Sequence, residues 1–482
     1  MKIKIIMKNL KIIFVLLFMF NINLFSQYNT VLYYMKGVPQ SYFLNPATQP
    51  RCKFHLGIPG ISPFYGGFES SSLHLGDIIM KNGDSLITFL HPLADKSKFL
   101  NNLGKTNFLS IDQMSNLFSI GFRVSDESFF SFDISEKTFA RLSFPGDIFN
   151  FILEGNKKGD EFNFSGTGVN LTSYLEIAMG ISTRKNDNFT YGYRGKVLFG
   201  LANISSRKTD ITATTDESIK LKSKFELNSS LPGVVIKKDN EGKFIWESID
   251  FVDQDSIDIS DLIYDVFSNF GFGIDFGLHY QPIENITLSA SIIDLGFIRW
   301  NKWNYNISQN GEFVFDGIEW NPSDTNDLGE KLLDSLKNAF EMNYENKAYT
   351  SFLPTKIYLG FKYAPVDQFS LSVVSRTEIY KGRLREALSF GINIFPIKML
   401  ALSINYTIAN KTFNNFGAGI ALKFLPLNIY LISDNVPIVF AKDKKSGAYI
   451  PYQARMFNFR FGVNLMFGCR VKKVDIPLFY NF

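Results

Sequence analysis

The sequence predicts an all-β chain, a closed antiparallel transmembrane β-barrel of about 14 strands with an N-terminal plug and helical segments in the extracellular loops. Three observations predict it. Segments of about ten residues alternate apolar and polar positions. Tight proline-bearing turns alternate with longer polar connections, and an export signal precedes both. Alternation alone also fits a soluble sandwich, because successive strand side chains point to opposite faces. Repetition and turn parity are what point to a membrane.

Composition agrees. A chain of 482 residues could hold several domains, but barrels run long as single units. An aromatic share of 16%, with 50 Phe, suits a surface that meets lipid and carries aromatic girdles. A net charge of +4 is too small to imply a nucleic-acid partner. Past the N-terminus no run reaches about 18 apolar residues, so no spanning helix is expected.

Residues 1–26 read as a signal peptide. Lys2, Lys4, Lys8 and Lys11 form its basic region. Ile12 to Phe20 is an apolar core of about nine residues, too short to cross a bilayer as a helix. Cleavage is expected at Ser26-Gln27. Residues 27–62 are expected to form a plug or hatch. Pro39, Pro46 and Pro50 lie there, and proline lacks the donor that a barrel ladder needs. Whether Phe54 to Ile58 is a wall strand or part of the plug stays open. Residues 63–468 are assigned to the barrel, and 469–482 to a periplasmic tail or closing segment.

A first strand is placed near Phe64 to Leu73. Phe118, Ile120 and Phe122 then pair with Phe130, Phe132 and Ile134. Leu175 to Ile181 and Tyr191 to Leu201 carry the parity onward. The stretch 203–269 is the weakest, and Arg207 to Leu227 reads as one long hairpin above the membrane. From Phe272 the alternation is regular. Turns at Pro282, Pro365, Pro396 and Pro426 face longer connections at 301–353, 380–385, 410–411 and 434–454. The alternating run Phe457 to Phe467 closes the series. An even count leaves both chain ends in the periplasm. Phe459, Phe461, Ile404 and Leu359 are expected to face lipid, with Asn405, Lys362 and Arg460 inward.

The long connections carry the helical signals. Leu328, Leu332, Leu333, Leu336 and Phe340 share one helical face after a cap at Thr325 or Asn326. Asp261 to Phe270 and Lys98 to Leu103 read as shorter helices. These helices are expected to cover the barrel rim; the other reading is a hydrophobic ligand groove at the mouth.

The segment Leu44-Asn45-Pro46-Ala47-Thr48-Gln49-Pro50, followed by Phe54-His55-Leu56-Gly57-Ile58-Pro59-Gly60, resembles the opening of Bacteroidetes outer-membrane proteins of the DUF5723 family. Phe144-Pro145-Gly146-Asp147, Tyr174-Leu175-Glu176-Ile177-Ala178, Gly195 to Asn203 and Asp294-Leu295-Gly296-Phe297-Ile298 extend the resemblance over most of the chain. That family is similar to FadL-type fatty-acid transporters and to PorV-like barrels of type IX secretion. The resemblance implies a plugged barrel in the Gram-negative outer membrane, with Asn45, Pro46 and Ala47 as the plug motif. It supplies no substrate. Barrels of this kind often end on the aromatic residue of the last strand, whereas here 469–482 follow it.

No catalytic constellation stands out. His55, His74, His91 and His279 have no metal spacing, and no Gly-x-Ser-x-Gly elbow occurs. Asp275 and His279 share one face of a strand at about 13 Å, too far for a direct hydrogen bond. An enzyme is not expected, nor a cofactor or metal. On the strand assignments Glu176, Arg194, Lys196, Asp275, His279, Lys356, Lys362, Arg376, Glu378 and Arg460 point into the lumen. Charges of both signs pair across a filled interior or line a water channel; mixed signs beside a plug favour the filled interior.

Two function classes remain. One is FadL-like uptake of a hydrophobic small molecule across the outer membrane. The other is a structural or adaptor barrel that docks secretion-system or surface partners. The partners expected are outer-membrane lipid, the barrel-assembly machinery, and a hydrophobic ligand or a secretion-system component, with no nucleic acid. Cys52 precedes the first strand and Cys469 follows the last, so both thiols belong at one seam. A disulfide there is permitted in the periplasm. Two unrelated thiols are the expectation, since Lys53 to Pro63 is long enough to carry Cys52 away.

Overall fold

The computed structural model describes residues 30–469, apart from 84, 238–249, 252–264, 316–341, 410–411, 438, 443–446, 448 and 453. The signal peptide, the helix expected after Thr325 and the tail beyond Cys469 lie outside the described residues.

Fourteen antiparallel strands close into a barrel. The first, β1, comes in two pieces, Phe54–Gly57 and Phe64–Ser70. It is followed by β2 (Thr106–Arg123), β3 (Ser128–Pro145), β4 (Gly168–Asn186), β5 (Phe189–Thr215), β6 (Phe270–Ile283) and β7 (Ile286–Trp300). Then come β8 (Thr355–Val366), β9 (Phe369–Tyr380), β10 (Arg383–Ile397), β11 (Leu400–Ala409), β12 (Thr412–Phe424), β13 (Leu427–Ser433) and β14 (Met456–Phe467). Each wall strand pairs with the next in sequence, and β14 pairs with both pieces of β1. Closure leaves no free edge in the wall, which is what lipid requires of a sheet.

The turns between β2 and β3, β4 and β5, β6 and β7, β8 and β9, β10 and β11, and β12 and β13 are short and lie at one end. Three of the prolines expected in these turns sit one step earlier. Pro282, Pro365 and Pro396 fall within the last residues of β6, β8 and β10. The register shifts at those points, between Tyr280 and Ile283, Tyr363 and Val366, and Ile394 and Ile397. A bulge releases the ladder hydrogen bond that proline cannot make.

Alternation sorts the wall. Leu359, Ile392, Ile404, Ile420 and Leu431 are exposed on the outer surface, while Tyr358, Asn393, Asn405, Ala421 and Arg460 are buried inside. At the opposite end the sheet outgrows the barrel. β5 has 27 residues, far beyond the about 9–11 that a tilted strand needs to cross a bilayer. Its upper half forms a hairpin with Ile219–Ser230, which in turn pairs with Asn304–Phe315. Nearby, helices Lys96–Asn102 and Asp147–Glu154 pack Phe99, Phe149, Phe89 and Leu153 into a small core with Leu73 and Met80. Of the expected Asp261 to Phe270 helix, the described part is helical over 265–268.

The boundary drawn at residue 62 needs correction. Phe54–Gly57 is not plug but wall: it pairs with Met466 and its neighbours on β14 and with Gly121 and its neighbours on β2. Residues 58–63 bulge out of the same lane, and Phe64–Ser70 resumes it.

Residues 30–50 run inside the barrel, and all of them are buried. Val31, Leu32, Tyr33, Tyr34, Met35, Val38 and Leu44 form one core with Ile293, Tyr358, Val374, Tyr430 and Ile432 of the wall. Each such side chain contributes roughly 1.5–3 kcal/mol when fully buried. The wall opposite is notched with glycine. A Cβ at Gly192 or Gly277 would collide with Pro46, and one at Gly360 with the Tyr34 hydroxyl. Cys52, at the exit of this segment, is bonded to Cys469, directly after β14. The Cα atoms are 3.9 Å apart, within the roughly 7 Å that a bridge allows. The expectation of two unrelated thiols is therefore overturned. The loop Lys53 to Pro63 does not carry Cys52 away, because Phe54–Gly57 enters the wall at once beside β14.

Candidate functional site: the charged lumen and its cavity

The Asn45-Pro46-Ala47 motif is a turn built to seat on the wall. The Asn45 carboxamide oxygen accepts from the Ala47 backbone N–H at 3.0 Å, closing an Asx turn. Its amide donates to the Tyr33 hydroxyl at 3.0 Å and to the Leu278 carbonyl at 3.3 Å. The Ala47 carbonyl accepts from Ser182 at 3.1 Å, and Thr48 bonds His279 at 3.0 Å. At the short-turn end Lys36 donates to the Asp367 carbonyl at 2.9 Å, and Gln40 pairs with Asn464. Asp434 accepts from the Thr30 and Val31 backbone N–H groups at 2.7 and 2.9 Å.

Beyond this segment, on the side of the long connections, two ionic clusters cross the lumen. In the first, Lys196 lies 2.7 Å from Asp275 and 2.6 Å from Asp294. Lys137 pairs with Glu176 at 2.7 Å and Lys356 with Asp294 at 2.8 Å. Arg194 bridges Asp133 at 2.9 Å and Asp275 at 3.3 Å. Tyr42 of the inner segment donates to Asp133 at 2.8 Å, so the cluster and the segment share a carboxylate. In the second, Glu378 receives Arg376 at 2.9 Å, Arg141 at 3.2 Å and Arg385 at 3.9 Å. Arg376 also donates through Nε to the Tyr358 hydroxyl at 3.2 Å. Taking such charges out of water is costly, and close pairing offsets it.

The structure brings seven of the ten inward candidates into these clusters: Glu176, Arg194, Lys196, Asp275, Lys356, Arg376 and Glu378. The other three lie apart. His279 holds Thr48, Lys362 sits over the Tyr34 ring at 5.4 Å, and Arg460 over the Tyr65 ring at 4.8 Å. Asp275 and His279 do not form a pair, since Asp275 is taken by Arg194 and Lys196.

Sequence reasoning missed Asp133, Lys137, Arg141, Asp294 and Arg385. Asp133 lies between Phe132 and Ile134 of the alternating run itself, and Lys137 and Arg141 follow from continuing that run past Ile134. Arg385 falls in the polar connection that the sequence predicts over 380–385, whereas β10 begins at Arg383. Asp294 breaks alternation: Ile293 and Asp294 are both buried, at a bulge where the register of β6 and β7 shifts. Its φ is 59°, a left-handed conformation that Asp tolerates better than most residues. Its N–H reaches Asp275 at 2.7 Å, and the bulge turns its carboxylate toward the lysines.

A cavity of about 100 Å3 lies among these groups. Phe43 and Leu44 of the inner segment form part of its lining. Tyr65, Phe139, Tyr174 and Tyr358 give aromatic walls, and Asp112, Lys137, Arg376 and Arg460 give charge. Among the described residues no group of His, Cys, Asp and Glu is arranged to hold a metal.

A sequence profile described as a family of unknown function, DUF5723, matches residues 46–434. The chain belongs to the DUF5723 family. The match begins at Pro46, inside the motif that seats the inner segment. No curated protein matches. Among solved structures, the DUF5723 chain is similar to a Pseudomonas aeruginosa FadL homologue at 12% identity and a TM-score of 0.38, over 93% of this chain and 100% of that one. It is similar to the Ralstonia pickettii toluene transporter TbuX at 10% identity and a TM-score of 0.39, over 93% and 99%. It is likewise similar to the Pseudomonas putida toluene transporter TodX at 9% identity and a TM-score of 0.38, over 92% and 98%. These neighbours are FadL-family outer-membrane barrels. Such scores carry no substrate to this chain.

Proposed function

We propose that this DUF5723 protein is an outer-membrane uptake barrel, plugged on its periplasmic side by residues 30–50, that takes a small molecule into a cavity above the plug. One observation carries the reading. The cavity is bounded below by Phe43 and Leu44 of the segment that fills the barrel, so a ligand resting there touches the element that must yield for it to pass. The sequence alone favours a hydrophobic cargo. The aromatic walls agree with that, but Lys137, Arg376 and Asp112 on the same lining ask for a polar end as well. An amphipathic small molecule fits both.

A second reading is favoured by a different observation. The sheet of β5, Ile219–Ser230 and Asn304–Phe315 stands beyond the barrel and, with the rim core around Phe99, offers an ordered surface for a docking partner. The two readings separate on one experiment. Detergent-purified protein is denatured and its released small molecules are identified by mass spectrometry. Uptake of the labelled compound is then compared in cells with and without the protein. Uptake that depends on the protein supports transport. No bound molecule and equal uptake would leave the adaptor.

A further inference from the structure

On the outer face of the wall one row breaks the apolar pattern. Gly66, Gln113, Thr138 and Ser173 are partnered in turn across β1 to β4, a single rung through four strands. Ser115 and Glu136 form the pair beside it. These six face outward, since Tyr65, Ser135 and Tyr174 next to them are buried inside the barrel. Apolar side chains bracket the row. Ile111, Leu142 and Val169 stand exposed towards the long connections, and Phe118, Ile134 and Leu175 lie half-buried towards the short turns. The row thus lies within the apolar belt, and Glu136 carries a charge there. Its Oε1 accepts from the Thr138 hydroxyl at 2.7 Å and from Ser173 at 3.3 Å, and it makes no ion pair among the described residues. Ionisable side chains are rare on surfaces that meet lipid, and they mark places where something else is met.

We propose that this row is the interface of a homodimer in the membrane. Two copies inserted in one membrane point the same way, so a two-fold axis between them runs along the membrane normal and sets the patch against itself. The patch is complementary to itself. Gln113 offers amide protons, Glu136 offers a carboxylate, and the two are diagonal neighbours on adjacent strands. Rotation about the axis places the Gln113 amide of each copy on the Glu136 carboxylate of the other, one charge-assisted hydrogen bond each way. Gly66 and the short side chains of Ser115, Thr138 and Ser173 let the two walls approach. An anionic lipid headgroup would meet Glu136 with the wrong sign. The inference rests on the membrane placement in the uptake reading and not on its cargo.

The test is a count of copies in the bilayer. Full-length protein with one fluorophore per chain is reconstituted into phosphatidylcholine vesicles over a dilution series, the vesicles are floated, and photobleaching steps are counted. The wild-type protein is expected to show two copies. Glu136→Leu and Gln113→Leu are each expected to dimerise at least tenfold more weakly, as losing hydrogen bonds to a charged group implies. Ser375→Leu, an outward position on β9 across the barrel, should leave the count at two. Wild-type protein that floats as single copies would overturn the proposal, whether or not the variants assemble, and would leave the uptake reading standing with a different membrane partner to meet Glu136. Dimers unchanged in both Leu variants would overturn it as well. Protein that does not float with the vesicles would overturn the membrane placement and this inference with it.

Discussion

Asp294 is a buried carboxylate set between two ammonium groups, Lys196 and Lys356, and reaches them only because a bulge turns it inward. Asp294→Asn leaves both ammonium groups short of countercharge in a low-dielectric interior. The variant is expected to lose roughly 3–5 kcal/mol of stability, read as a lower midpoint in denaturant unfolding of the folded barrel band. The exposed pair Lys158–Asp216 is the control, since losing such a pair costs about 0–1 kcal/mol. Equal effects of Asp294→Asn and Asp216→Asn would contradict the role given to the cluster. Period-2 alternation is enough to place Glu176, Arg194, Lys196 and Arg376 inward. It could not place Asp294, because a bulge shifts parity by one residue and leaves no mark in hydrophobic pattern. Nor could it show which charges meet, since partners such as Arg141 and Glu378 lie 237 positions apart.

Two elements behave as distinct devices. The first is the seam, where Cys52 and Cys469 tie the exit of the inner segment to the end of β14 across a separation of 417 residues. Closing so long a loop is worth about 6 kcal/mol in the chain-entropy model. Cys52→Ser with Cys469→Ser is expected to assemble but to unfold at lower denaturant. The oxidised wild-type protein, once unfolded, should titrate no free thiols. Two free thiols would contradict the bridge. Cys52 could be put near the seam from sequence, but the split first strand could not. Six residues, 58–63, interrupt β1, and short strands separated by prolines read as loop. The second device is the rim cap. Asp77 is buried near His74 and Asn102, and burial alone would raise its carboxyl. The His74 side chain and backbone N–H and the Asn102 amide, at 3.2, 2.8 and 2.9 Å, outweigh this and hold it below the ordinary 3.8. A depressed carboxylate stabilises the cap above its ordinary range and ceases to as pH falls through its lowered value. Proteolysis within 71–104 should therefore rise as pH drops below 3.8, and Asp77→Asn should abolish that rise while weakening the cap at neutral pH. A cap equally resistant at both pH values would contradict the assignment.

For the molecule as a whole, closure was the most legible property. Closure follows from the need to satisfy every backbone group in lipid, an even strand count brings both chain ends to one side, and both are written in the spacing of Pro-bearing turns. What filled the barrel was less legible. Residues 30–50 mix prolines, tyrosines and aliphatics with no period; their prolines argue against a wall strand, and glycines opposite them at 192, 277, 360, 417 and 419 make room for their seat. We propose that this segment, locked by hydrogen bonds to the wall and by the seam disulfide, holds the lumen closed. Conductance of the purified protein across a planar lipid bilayer tests it most directly, with the full chain compared against one lacking residues 30–50. The full chain is expected to pass no steady ionic current, and the deletion variant, still folded by its heat-modifiable migration, to open a stable conducting pore. Equal steady current through both would contradict the claim.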